Sequence, residues 1–176
     1  MKRFALFCSM LFIAIFAFAS NPMKKIEGRD NLKAIMSSDA KAYVIYDWTE
    51  AKYDKTKDIK VQLAEDYDFV ISDCEKSFVT GFNNKAKHLK LSTDSNGAKY
   101  KFVLKVTCID RYFQPMTFVP KHEGKMWGTL EIFNAETNES LTKITIDEAE
   151  EGYDLVPREC FGKTFLNLGE KVAKLK

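Results

Sequence analysis

Tyr100-Lys101-Phe102-Val103-Leu104-Lys105-Val106-Thr107-Cys108-Ile109-Asp110-Arg111-Tyr112 is the stretch on which the fold turns. Its side chains alternate. Tyr100, Phe102, Leu104, Val106, Cys108, Asp110 and Tyr112 fall on one face, and Lys101, Val103, Lys105, Thr107, Ile109 and Arg111 on the other. Successive residues of a strand point to opposite faces, so the first set reads as core and the second as mostly solvent. That one-sided pattern belongs to an antiparallel sheet covered on a single face. Downstream, residues 126–133 and 141–147 read as two further strands. The turn composition of 134–140 (Asn-Ala-Glu-Thr-Asn-Glu-Ser) joins them as a hairpin. Pro115, Pro120 and Gly124 mark 113–125 as a loop, and Asp147, Glu148, Glu150 and Glu151 mark an acidic loop after the last strand.

Upstream, residues 42–48 are rich in β-branched and aromatic side chains and read as the first strand. Between 61 and 83 the period changes. Leu63, Tyr67, Val70, Ile71, Cys74, Phe78 and Phe82 recur at three- and four-residue steps, which is one face of an α-helix, and Gly81 and Asn83-Asn84 stand where it should stop. A short strand at 89–91 and a turn cluster at 92–97 follow. The chain closes with a helix over 157–174, whose stripe is Phe161, Phe165, Leu168, Val172 and Leu175. Gly162 and Gly169 inside it predict close packing against the sheet. Two helices with one apolar stripe each need a surface to cover. The fold class that follows is α+β: a two-layer sandwich, with a mostly antiparallel sheet and two helices on one face.

Residues 41–176 form a single α+β domain on this reading. Residues 20–40 are an exposed N-terminal segment, and the charged stretch 49–60 is a solvated connection. Residues 1–19 read as a signal peptide. Lys2 and Arg3 precede an apolar run from Phe4 to Phe18, and Ala17-Phe18-Ala19 is a small-residue cleavage site. About 20 apolar residues are needed to span a bilayer, and this run is shorter. Cys8 lies inside the run after Phe7, which excludes a lipoprotein anchor. The formal net charge of +2 comes from Lys2 and Arg3 alone, so beyond the leader acids and bases balance. No general field draws in nucleic acid. The expected location is the periplasm or the exterior, with no membrane span after cleavage. Cys74, Cys108 and Cys160 have no metal-ligand spacing and sit in apolar-patterned segments. They read as buried free thiols, with one disulfide among them as the alternative.

Chemistry-bearing motifs are sparse. His88 and His122 are the only histidines; His88 reads as a surface residue, and the His122–Glu123 pair in the proline-containing loop supplies too few ligands for a metal site. Asp47, Asp110 and Glu131 are strand carboxylates, and Asp110 lies on the apolar face of its alternation. The acidic run 147–151 lacks the order of a calcium loop. Lys76, Lys85, Lys87 and Lys90 cluster around the end of the first helix as a solvated face. No cofactor motif is present in the sequence. The best contact candidate is the loop 113–120 with Trp127: Phe113, Met116 and Phe118 offer apolar area on a backbone restricted by Pro115 and Pro120. The competing reading folds this loop back as a cap on the core. Phe118→Ala separates the two, since a contact residue leaves stability unchanged and a cap residue does not.

The second half also carries a resemblance. A strand opening Ala98-Lys99-Tyr100-Lys101-Phe102-Val103-Leu104, a strand and turn running Leu130-Glu131-Ile132-Phe133-Asn134-Ala135-Glu136-Thr137-Asn138, and an amphipathic C-terminal helix with Phe165-Leu166-Asn167-Leu168-Gly169 resemble periplasmic domains related to the TolB N-terminal domain and to CsgG. The whole looks like small exported Bacteroidetes proteins of unknown function. Asn138 stands where those domains often have Gly, and the resemblance supplies no catalytic residues. It implies a non-enzymatic exported binding or assembly module of the cell envelope, with a protein or envelope component as partner. The alternative from another class is a small-ligand-binding protein or hydrolase with a pocket near Asp47, Asp110 and Trp127. A third is an enzyme inhibitor with a protruding ordered loop.

Overall fold

A computed structural model describes residues 21–114 and 121–175. The leader, Met116 and Phe118 lie outside the described residues. The fold is α+β. Its mixed sheet runs β1-β8-β7-β6-β2-β5, where β1 is Met23–Glu27, β2 Lys41–Asp47, β5 Lys90–Ser92, β6 Tyr100–Gln114, β7 Lys121–Asn134 and β8 Ser140–Asp154. β1, β8, β7 and β6 pair antiparallel, whereas β2 joins β6, and β5 joins β2, in parallel. Helices α1 (Arg29–Met36), α3 (Tyr67–Lys85) and α4 (Glu159–Ala173) share one core with a single face of this sheet. The opposite face carries none of these helices, as the Tyr100 alternation predicts, and is open apart from a turn at 52–58. No helix among the described residues is long and apolar enough to cross a membrane.

Several expectations need correction. Residues 23–36 are not an exposed segment. β1 extends the sheet beside β8, and α1 buries Leu32 and Ile35 in the core. Gly28 makes the turn between them at φ 69°, and an added Cβ would meet the Leu141 carbonyl oxygen at 2.2 Å. The charged stretch 49–60 contains a two-stranded turn, β3 (Lys52–Tyr53) and β4 (Lys57–Asp58), in which Ala51 and Tyr53 are buried. The helix read over 61–83 is split. A short α2 (Ile59–Leu63) is capped by Asp58, whose Oδ1 accepts from the Lys60 and Val61 N–H groups at 2.9 and 3.1 Å. Ala64, at a positive φ of 46°, and a 3₁₀ turn then lead into α3. That helix runs past Asn83 to Lys85. The Asn83 amide does not stop it, but pairs with both backbone groups of Leu91 at 2.7 and 3.0 Å and fastens β5.

The largest correction lies in β6. Alternation holds from Tyr100 to Val106. There Thr107 is an extra residue, a β-bulge: Val106 pairs with Gly128 and Cys108 with Trp127. Parity reverses beyond it. Ile109 enters the core, and Cys108 and Asp110 move to the uncovered face. Cys108 is buried there beneath the β3–β4 turn, where its Sγ accepts from the Lys55 N–H at 3.2 Å. All three described cysteines are free and buried. Burial raises every one of these thiols, Cys160 to about 12 and Cys74 well above its ordinary 9.0.

Gly162 and Gly169 do not face the sheet. They form, with Gly81, the seam along which α3 and α4 touch. A Cβ on Gly169 would stand 2.3 Å from the Phe78 carbonyl oxygen, and one on Gly81 would stand 1.9 Å from that of Leu166. Aromatic contacts tie this helix pair to the sheet. Phe82 meets Phe102 edge-on at 5.8 Å, and Trp48 stacks on Phe165 at 5.6 Å while its Nε1 donates to Glu75 at 3.0 Å.

Candidate functional site

β6, β7 and β8 continue beyond the rest of the sheet. β2 leaves β6 after the Asp47–Lys105 pair, and β3 touches it only at Cys108 and Ile109. On the other side β1 pairs with β8 only as far as Ile146. The distal halves therefore form a three-stranded ribbon with free edges. The residues expected to be loops, 121–125 and 147–152, are strand within it. Their glycines and charges read as breakers, but Glu148 and Glu150 occupy an edge, where charge deters pairing with other chains. Lys125 binds Glu148 and lies 3.7 Å from Glu150. Gly124 admits α4: a Cβ there would meet the Cys160 carbonyl oxygen at 2.7 Å, and Thr164 donates to the Gly124 carbonyl at 2.8 Å.

The end of this ribbon is apolar and exposed. Tyr112 is 54% exposed and Phe113 48%, with the Phe113 ring 5.3 Å from that of His122. Across the ribbon, Asp154 turns the chain out of β8. Its Oδ1 accepts from the Val156 N–H at 3.0 Å, and its Oδ2 meets Lys163 at 2.6 Å. Lys163 and these backbone donors hold its carboxyl below the usual range. Leu155 and Val156, which follow, are exposed, as is Phe69 under the Arg158 guanidinium at 4.6 Å. Thus Phe113 and, across the ribbon, Leu155 and Val156 lie at its far end, with Tyr112 on the opposite face and Phe69 beside Arg158.

Of the contact residues read from sequence, Phe113 is at this end and Met116 and Phe118 fall outside the described residues. Trp127 is not beside Phe113. It is mid-strand in β7, five residues inward of His122, which is about 17 Å along a strand. It faces the uncovered side, half-buried, with the Lys55 ammonium 4.7 Å above its ring. Asp47, Asp110 and Trp127 share that uncovered face, but both carboxylates are engaged locally. Asp47 accepts from the Thr49 N–H at 3.0 Å, and the Thr49 hydroxyl first and this N–H second hold its carboxyl below the usual range; Asp110 accepts from the Arg111 N–H at 2.7 Å. Glu131 accepts from the Ser140 hydroxyl. His88 is exposed and pairs with Asp39 at 2.8 Å. Among the described residues, no group of three His, Cys, Asp or Glu side chains is placed to hold a metal ion.

Sequence reasoning missed the groove beside this end, about 220 Å³ between α3 and α4, where Phe69, Asp73, Asp154 and Glu159 converge over Gly162. Asp73 looks like one more charge on the solvent face of α3. Helix α4 approaches so closely at Gly162 that an added Cβ would sit 1.9 Å from Asp73 Oδ2. Burial, and then the Glu159 charge, raises the Asp73 carboxyl above its ordinary 3.8. The folded state therefore holds this proton to higher pH than the unfolded chain, and stability falls as pH rises through that window. Asp73→Asn should match the parent near about pH 3 and be the more stable near about pH 7, as read by denaturant melts at both values. Equal stability at the higher pH would show the carboxylate to be fully solvated.

The sequence matches no family model and no curated protein. Among solved structures it is similar to the PelC dodecamer from Paraburkholderia phytofirmans in space group P6, at 13% identity and TM-score 0.38, over 77% of this chain and 86% of that one. A variant of that dodecamer in space group C2 gives 13% identity and TM-score 0.39, over 79% and 90%. The hypothetical protein CT253 from Chlamydia trachomatis gives 9% identity and TM-score 0.32, over 63% and 72%.

Proposed function

We propose that the protein is an exported, non-enzymatic binding or assembly module of the cell envelope, and that it engages a protein partner through the far end of the β6–β7–β8 ribbon. The observation that carries this reading is the exposure of Phe113, Leu155 and Val156 together at the end where the ribbon projects beyond its neighbours. Scattered exposed apolar residues are ordinary, but a cluster on a projecting element marks a contact surface. A hydrogen-bonded ribbon is already ordered, so little conformational freedom is lost on docking. The apolar run and cleavage site of the leader, and the resemblance to periplasmic domains, support export.

Affinity capture from an envelope fraction, with the parent and a Phe113→Ala/Leu155→Ala variant side by side, tests it. The variant should lose the partner by at least about 2 kcal/mol, the scale of an interface hot spot, with its unfolding midpoint within about 0.5 kcal/mol of the parent. Undiminished capture by the variant would refute the surface. Turnover of a substrate by the parent would refute the non-enzymatic reading.

A further inference from the structure

The opposite end of the helical layer holds a second feature. The C-terminal ends of α1, α3 and α4 converge around a cleft of about 570 Å³. Its floor is Met36, Ala173 and Leu175, which are half-buried and packed on the core. Its rim is basic: Lys85, Lys87, His88 and Lys174. Two of these are already engaged, since Lys85 lies 3.6 Å from Glu170 and His88 pairs with Asp39. Lys87 and Lys174 are exposed and have no carboxylate within 4.0 Å among the described residues. Helix C-termini carry partial negative charge, which attracts such lysines and accounts for their presence. It does not account for an apolar floor left open between them. Lys85 and Lys87 thus border a concave site, whereas the sequence suggests only a solvated basic face.

We propose that this cleft binds a soluble anion carrying a short apolar arm, an alkyl phosphate or alkyl carboxylate. Lys87 and Lys174 hold the headgroup, and Met36, Ala173 and Leu175 take the arm. Two unpaired ammonium charges outweigh the roughly half charges of the three helix ends, and that excess selects an anion. Concavity selects a free molecule over a bilayer, because a flat membrane surface cannot reach a floor that lies below its own rim. The inference is independent of the ribbon, which lies at the other end of the helices.

Hexyl phosphate is a suitable probe, followed by heteronuclear NMR on the purified protein, with inorganic phosphate and hexanol as comparison probes. Hexyl phosphate should shift the Met36, Ala173 and Leu175 signals saturably. Inorganic phosphate and hexanol should each bind at least about tenfold more weakly, since each lacks one half of the recognition. Each added methylene should tighten binding by up to about fourfold until the floor is filled. Lys87→Gln/Lys174→Gln, at exposed positions that the fold does not need, should weaken hexyl phosphate at least about tenfold, and Lys52→Gln should not. No saturable shift at millimolar hexyl phosphate, or equal binding by the double variant, would overturn the proposal. So would binding to phosphatidylglycerol vesicles that the double variant abolishes, because the occupant would then be a bilayer.

Discussion

Gly81→Ala should lower the stability of the fold by about 3 kcal/mol or more, against a helix propensity that by itself favours alanine by about 1 kcal/mol. The two effects have opposite signs, so the measurement decides between them. Gly81 sits inside α3, where an exposed glycine replaced by alanine would stabilise the helix. Here the new Cβ would lie 1.9 Å from the Leu166 carbonyl oxygen, 2.8 Å from its carbon and 3.0 Å from its Cα. All three are backbone atoms of α4, so no side-chain rotation relieves the clash and the helices must part. Parting them loosens Phe78, Phe82 and Phe165, each fully buried, and the Trp48–Phe165 stack. For a domain of this size 3 kcal/mol corresponds to a fall in melting temperature of about 6–12 °C. Gly169→Ala meets the Phe78 oxygen at 2.3 Å and the Phe82 nitrogen at 2.7 Å, on the other side of the same seam. The double variant should cost less than the sum of the singles, since the helices part once. A rise in melting temperature for Gly81→Ala would mean that α3 and α4 do not pack this closely.

Those glycines also show how far sequence reasoning reaches. Gly162 and Gly169 announce a close approach, and the structure has one, but a glycine does not name its partner. The sheet and a second helix are equally compatible with a missing Cβ. The helical stripes of α3 and α4 were legible because Val70, Cys74, Phe78 and Phe82, and Phe161, Phe165, Leu168 and Val172, all reach the core, and helical periodicity is the direct imprint of that burial. β1 and α1 were not legible. β1 is an edge strand of five residues with Lys24, Lys25 and Glu27 exposed, and α1 commits only Leu32 and Ile35 to the core. Too few apolar positions remain to set a period. The ribbon was misread for a related reason. Gly124 looks like a breaker and is a landing place for α4, and the acids of β8 look like a loop and lie along an unpaired edge.

The proposed contact surface is half legible. Phe113 draws attention by its apolar neighbours. Leu155 and Val156 are distant in sequence and reach the same end only because Asp154 pairs with His122 and His122 with Phe113. No local pattern carries that information. Trp127 was grouped with Phe113 by closeness in sequence, yet five residues of strand and a change of face separate them.

Deleting Thr107 should leave the fold within about 1 kcal/mol of the parent, whereas a serine inserted between Ile109 and Asp110 should cost at least about 4 kcal/mol, because one residue sets the parity of the distal strand. Val106, Thr107, Cys108 and Ile109 contain no glycine or proline, and both alternations through them place apolar groups on each face, so nothing local marks the bulge. The choice is made in three dimensions. With Thr107 looped out, Ile109 joins Met126 in the core and Cys108 lies under the Lys55 turn. Deleting Thr107 makes Val106 and Cys108 consecutive, so Val106–Gly128 and Cys108–Trp127 become successive pairs and every distal side chain keeps its face. An inserted residue instead adds a position that β7 does not match. Either Asp110 turns toward α4 and every residue out to Gln114 loses its partner, or the slip passes inward, takes the fully buried Ile109 out of the core and carries β3 with it, since Lys52 and Tyr53 pair with Cys108 and Ile109. Burying a carboxylate with no partner, or losing Ile109 from the core, costs several kcal/mol. Thr107→Val keeps the chain length and should change stability by less than about 1 kcal/mol, because Thr107 is exposed and its side chain sets no register. Hydrogen exchange then locates the damage: amides 109–114 and 121–126 should lose protection in the insertion while those of 100–106 retain it. Denaturant melts in which the deletion falls several kcal/mol below the parent would mean that Thr107 is not the extra residue of this pairing.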